Sequence, residues 1–203
     1  MATLSVGGTT VFDGAELQSG VTGSPVLTLP STTTFPPHHI IQTVMSTPFS
    51  GTESTSSSST SGVNTSVYSV ITPLKSSSDI LIFGSLDVGV NNGGAYGGNV
   101  WMTRSQAGGE ADTKVIVGDT SGSRIRATGG VYSDSNDYQH FIIPTCYLDS
   151  PTIPSTPVAI TYRWVFRSGW NGYSILINHA GADPDTAAAS RCMSYITLME
   201  VAR

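Results

Sequence analysis

The stretch His38–Phe83, HHIIQTVMSTPFSGTESTSSSSTSGVNTSVYSVITPLKSSSDILIF, decides the fold class. Ile40, Gln42 and Val44 alternate with Ile41, Thr43 and Met45, and Val67, Ser69 and Ile71 alternate with Tyr68, Val70 and Thr72. Successive side chains of a strand point to opposite faces, so a period of two reads as a strand with a covered face. The run Ile80-Leu81-Ile82-Phe83 is wholly apolar and is predicted to be buried on both faces. A Ser/Thr-rich tract and the turn Lys75-Ser76-Ser77-Ser78 join the three runs. Strands linked by polar loops are the ingredients of an antiparallel sandwich.

Working outward, further strands are predicted at Ser85–Val90, Val100–Arg104, Lys114–Val117, Ile125–Thr128, His140–Leu148, Ile160–Arg167, Ser174–Asn178 and Ser194–Val201. Between them lie a glycine-rich loop, Asn91–Asn99, and turns at QAGGEAD and GDTSGS. Pro144 cannot donate to a ladder, so its strand belongs at an edge or carries a bulge. Tyr162, Trp164 and Phe166 share one face of their strand, opposite Thr161, Arg163, Val165 and Arg167. The short run Asp185–Ser190, DTAAAS, reads as a loop or single turn. This succession of short strands favours an all-β, jelly-roll-like antiparallel β-sandwich over residues 38–203.

Residues 1–37 differ. A hairpin is expected at Gly7-Gly8, and the following segment is dotted with Gly20, Gly23, Pro25, Pro30, Pro36 and Pro37. Prolines at that density disfavour helix and interior strand. The segment reads as an arm that orders against a partner surface, with Leu4, Val6, Val11 and Phe12 as its anchors.

Composition narrows the function. Charged residues are 11% of the 203, with two lysines, Lys75 and Lys114, and a net charge of -5. Phosphate binding needs clustered Lys and Arg, so no nucleic acid partner is expected. The longest apolar runs fall short of a membrane span, and the N-terminus lacks a basic region and apolar core. Synthesis in a cytoplasm without a signal peptide, and no membrane insertion, are the expectations. Cys146 and Cys192 sit in apolar runs and read as two buried free thiols, with a single disulfide as the alternative. His38-His39 point to opposite faces of an extended chain, and Asp134, Asp137, Asp183 and Asp185 lack the closing Glu of a calcium loop. No nucleophile-base or paired-carboxylate arrangement is evident, so no catalytic residue, metal or cofactor is assigned. Tyr96, at the tip of the glycine-rich loop, and Trp170 and Tyr173, in the turn SGWNGY, are candidate contacts for a sugar ring.

Three segments together, ITPLKSSSDILI (71–82), YLDSPTIPSTPVAITYRWVFRS (147–168) and SYITLMEVAR (194–203), resemble the knob domains of tailed-phage structural proteins, particularly aquatic and cyanobacterial ones. The resemblance covers about residues 38–203. It implies a homotrimeric, non-enzymatic head displayed on a virion for host recognition, with the N-terminal arm attached to other tail, baseplate or capsid proteins. The chain has no long shaft before the knob, so a short tail fibre, an appendage or a capsid decoration protein all fit. A free carbohydrate-binding lectin of sandwich fold is the alternative.

Overall fold

The computed structural model describes residues 3–6, 9–13, 16–17, 36–91, 96–107, 110–133, 139–170, 172–181 and 190–203. The chain divides into two compact units, Met1–Thr34 and Phe35–Arg203. In the first, β1 (Thr3–Val6), β2 (Thr9–Asp13) and β3 (Glu16–Leu17) form an antiparallel sheet. Val6 stands opposite Thr9 and Phe12 opposite Leu4 and Leu17, while residues 7–8, where the hairpin turn is expected, lie outside the described residues.

The second unit is an antiparallel β-sandwich, with no helix among the described residues. Its six-stranded sheet is organised by β7 (Asp79–Asn91). Along one edge β7 pairs with β11 (His140–Asp149). Along the other it pairs first with β14 (Tyr195–Val201) and then with β13 (Ser174–Ile177). β4 (Ile40–Met45) flanks β14, and β5 (Glu53–Thr55) flanks β13. The five-stranded sheet runs β10 (Gly129–Ser133), β8 (Tyr96–Gln106), β12 (Ile160–Ser168), β6 (Val63–Ile71), with β9 (Glu110–Lys114) also on β8. Between the sheets lie Val67 and Ile71, Ile80, Ile82 and Leu86, Val100 and Met102, Tyr162, Trp164 and Phe166, and Ile196 and Leu198. The alternation expected for β6 and β12 is the one observed.

Several elements depart from the sequence expectation. Ile80–Phe83 and Ser85–Val90 are one continuous strand. Tyr96–Asn99 belong to β8 rather than to a loop. The glycines there permit contact that any side chain would block: a Cβ on Gly97 would lie 2.1 Å from the Val131 carbonyl oxygen, and one on Gly98 would lie 2.4 Å from Ile175. The Ser/Thr tract contains a strand, β5. QAGGEAD leads into β9, which displaces the strand expected at Lys114–Val117, and the strand expected at Ile125–Thr128 falls instead at Gly129–Ser133. Pro144 does lie on a strand that, among the described residues, pairs along one edge only, with Pro144 opposite Ser85. Residues 182–189, and with them most of DTAAAS, lie outside the described residues.

The two sheets differ in how their outer faces are finished. On the five-stranded sheet, Trp101 and Val165 are 1% and 2% exposed. The Ser/Thr tract lies against them: Gly62 has φ 70°, and a Cβ there would lie 2.6 Å from both side chains. Ser168 N–H donates to the Ser57 carbonyl, and Lys114 Nζ stands 3.9 Å from the centroid of the Trp101 ring. Among the described residues no such cover lies over most of the outer face of the six-stranded sheet. Registers across it place Met45, Thr197, Phe83 and Cys146 in one row and Thr43, Met199, Leu81 and Leu148 in the next. Phe83, expected to be buried, is 37% exposed, and Met45 and Ile142 are each 65% exposed. Cys146, expected to be buried, is an exposed free thiol; Cys192 is half-buried and also free.

One buried carboxylate ties the Lys75–Ser78 turn to the end of the sheet. Glu200, 0% exposed, accepts from Leu74 N–H at 2.9 Å, Lys75 N–H at 3.0 Å, Ser78 Oγ at 2.6 Å and Gln42 Nε2 at 2.6 Å. Hydrogen bonds to a charged group contribute more than neutral ones, and stranding the donors adds a desolvation cost. We expect Glu200→Ala to cost about 3 kcal/mol, lowering Tm by about 6–12 °C. Glu200→Gln, which keeps one acceptor oxygen, should cost about half as much. Calorimetry showing less than about 1 kcal/mol for Glu200→Ala would contradict this role.

Candidate functional site

Asp87 stands in the middle of β7, in the otherwise apolar run LDVGV, on the outer side of the six-stranded sheet. It is nevertheless 2% exposed, because Asn178–Gly181 and Ser190–Ser194 fold across that part of the sheet. Gly89 admits this crossing: a Cβ there would lie 2.1 Å from the His179 carbonyl oxygen.

The crossing segments are held by a continuous set of bonds. Asn178 takes the left-handed conformation at φ 64°, which Asn tolerates better than most side chains, and so ends β13. Its N–H donates to the Asp87 carbonyl at 3.1 Å, and its own carbonyl accepts from Cys192 N–H at 3.0 Å. Its Nδ2 donates to the carbonyls of Phe49 and Gly51 at 2.7 and 2.8 Å. Ser194 Oγ donates to Asn178 Oδ1 at 2.6 Å and accepts from Asp87 N–H at 3.0 Å.

This scaffold brings three chemically distinct side chains together. His140 Nδ1 lies 2.8 Å from Asp87 Oδ1 and 3.7 Å from Cys192 Sγ. One ligand-type atom from each of Asp87, His140 and Cys192 falls within a cluster whose members are all within 4.8 Å of one another. Asp87 Oδ2 and His140 Nε2 are buried without a hydrogen-bond partner among the described residues. Burial, then the Asp87 carboxylate, pushes the Cys192 thiol above its ordinary pKa. A nucleophile-base relay needs the thiol and the carboxylate on opposite ring nitrogens; here both face Nδ1. The arrangement is therefore convergent, suited to holding something between the three atoms.

The sequence offered no reading of this site. The one available signal was Asp87, a charge inside a strand that is otherwise apolar, which a buried strand retains only with a partner. A second buried polar group joins Arg104, Asp149 and Tyr162: Arg104 Nη1 and Tyr162 Oη both donate to Asp149 Oδ2, at 2.6 and 2.7 Å. Burial and the Asp149 carboxylate push the Tyr162 phenol upward, so it stays a donor.

Of the candidate contact residues, Trp170 is 63% exposed. It rims a shallow depression with Tyr132, floored by Gly97, Gly98, Gly130 and Gly169. Tyr173 is half-buried, and the side chain of Tyr96 lies outside the described residues, as do those of Leu4, Val6, Val11 and Phe12. His38 and His39 are exposed in the turn before β4. Asp134, Asp137, Asp183 and Asp185 lie outside the described residues.

Asn178 carries the scaffold of the cluster, so Asn178→Ala should cost about 3 kcal/mol and lower Tm by about 6–12 °C. It should also speed reaction of Cys192 with a thiol reagent while leaving Cys146 unchanged. Equal reactivity of Cys192 in both proteins would show that Asn178 does not position it.

No family model matches the chain, and no curated protein matches it. Among solved structures, it is similar to a chain in the structure of infectious bursal disease virus, Gt strain, at 14% identity and TM-score 0.39. A chain from the Gx strain of the same virus is similar at 14% identity and TM-score 0.37. A third match, at 12% identity and TM-score 0.30, comes from T=1 particles derived from that virus. Each alignment covers 88% of this chain and 43%, 42% and 41% of the respective viral chains, so this chain spans less than half the length of each.

Proposed function

We propose that this chain is a non-enzymatic structural subunit of a virus particle, packing against further copies of itself through the outer face of the six-stranded sheet. The single observation that carries this reading is the contrast between the two outer faces. The Ser/Thr tract covers Trp101 and Val165 on the five-stranded sheet, where Tyr68 and Val70 of the edge strand β6 stay exposed, whereas Met45, Phe83, Ile142, Leu148 and Tyr195 are exposed across four adjoining strands of the six-stranded sheet. A contiguous apolar face of this kind marks a protein interface.

The charge pattern supports a second copy as the occupant. The acidic residues of β7 on the outer face are Asp79, paired with Arg203 at 2.6 Å, and Asp87, paired with His140. Two such faces meet without an unpaired charge between them, as an isologous or cyclic contact requires. The resemblance to phage knob domains supports three copies around an axis, on a short tail fibre or another virion appendage. In that arrangement residues 1–37 are the attachment arm, held through Leu4, Val6, Val11 and Phe12. The depression between Tyr132 and Trp170 suits a host surface glycan, because exposed rings beside glycine-lined space allow a sugar to stack.

Light scattering on the full chain at micromolar concentration should give a multiple of 21 kDa, three-fold for a trimer. Ile142→Glu with Leu148→Glu should reduce the mass to that of one chain without loss of the β-sheet circular dichroism signal. Cys146 should be protected from thiol reagents in the associated protein and reactive in this variant. A wild-type chain that stays monomeric, with Cys146 freely reactive, would overturn the reading. Deleting residues 2–30 should leave the sandwich folded and associated while abolishing incorporation into particles, and Phe12→Ala should weaken incorporation. Loss of folding on deletion would place the segment in the core.

A further inference from the structure

From the geometry we infer that Asp87, His140 and Cys192 form a binding site for one divalent transition-metal ion of the zinc type.

Three residues from separate parts of the chain, β7, the start of β11 and the segment before β14, supply an oxygen, a ring nitrogen and a sulfur. Around a tetrahedral ion with bonds of about 2.0–2.3 Å, neighbouring ligand atoms stand roughly 3.3–3.6 Å apart. The observed separations are 2.8 Å for oxygen to nitrogen and 3.7 Å for sulfur to nitrogen, so small side-chain rotations reach that spacing. Two of the three backbones are fixed to each other through Asn178, which accepts from Cys192 N–H and donates to the Asp87 carbonyl. The site is thus built by the fold, not by side chains that happen to meet.

The polar accounting points the same way. Nδ1 of His140 has one valence to offer, yet both a carboxylate oxygen and a thiol sulfur face it. Asp87 is 2% exposed and its second oxygen is unpartnered among the described residues. A dication with one carboxylate, one thiolate and a neutral imidazole is electrically balanced, which removes the cost of a buried charge. Binding must release the thiol proton, since the thiolate is the ligand. Sulfur and imidazole together select zinc-type ions over calcium or magnesium, which take oxygen ligands. Three protein ligands leave a fourth position for water or a further group.

The test is titration of the untagged full chain, first stripped with chelator, with Co2+ and then Zn2+. One equivalent of Co2+ should give a thiolate-to-cobalt charge-transfer band with the visible bands of a tetrahedral site, and Zn2+ should displace it. Cys192→Ser should remove the charge-transfer band, and Cys146→Ser should leave it intact. His140→Ala and Asp87→Asn should each weaken binding at least about tenfold. If Asp87→Asn fails to fold, the wild-type and two cysteine titrations still decide the matter. No charge-transfer band in the wild-type chain, or a band lost with Cys146 and kept with Cys192→Ser, would overturn the inference.

Discussion

The backbone ladder of β7 is the constraint from which the rest of the sandwich follows. Both of its edges are used: Ile80–Gly89 pair with β11 on one side, and Asp79–Ser85 pair with β14 and Val88–Asn91 with β13 on the other. A strand with both edges used cannot slip in register without breaking two ladders at once. Its inward side chains, Ile80, Ile82, Leu86, Val88 and Val90, are all buried and fix where the second sheet packs. Its outward side chains do different things along its length. Leu81 and Phe83 lie in the open apolar face, while Asp87 lies under the crossing segments.

That division separates the two properties proposed for this protein. Near the Asp79 end the sheet is flat-packed on one side and open on the other, which is the condition for association. Near the Asn91 end the chain's own segments cover the sheet, which is the condition for a dry polar cluster. Water excluded from Asp87 strengthens every electrostatic interaction made there and makes an unpartnered oxygen costly. The same burial that would penalise a stray carboxylate makes one shared with His140 and Cys192 a strong ligand.

Low overall charge fits both. Long-range repulsion between copies is weak when charged residues are 11% of the chain, and hydroxyl and amide groups provide hydration in their place. Several of the charges that are present are used to hold the fold: Glu200 on the Lys75–Ser78 turn, Asp149 on Arg104 and Tyr162, and Asp79 on Arg203. These are structural uses of charge, and each closes an end or a corner of the sandwich.

The sequence by itself determined the fold class, because alternation is a local property: the faces of β6 and β12 are set by which residues are odd and which are even. It also narrowed Pro144 to an edge or a bulge, since proline lacks a ladder donor wherever it stands. It did not distinguish an apolar strand covered on both faces from one with an open face, because Ile80–Phe83 reads alike in both cases. Nor did it reveal that the glycines at 97 and 98 are strand residues, since their role comes from the Val131 and Ile175 groups that approach them. The Asp87–His140–Cys192 cluster was beyond it altogether. Those residues are 53 and 52 positions apart, and only pairing of β11 with β7 and the turn at Asn178 bring them together. What depends on one residue and its neighbours was written in the chain; what depends on which strands meet was decided by the tertiary structure.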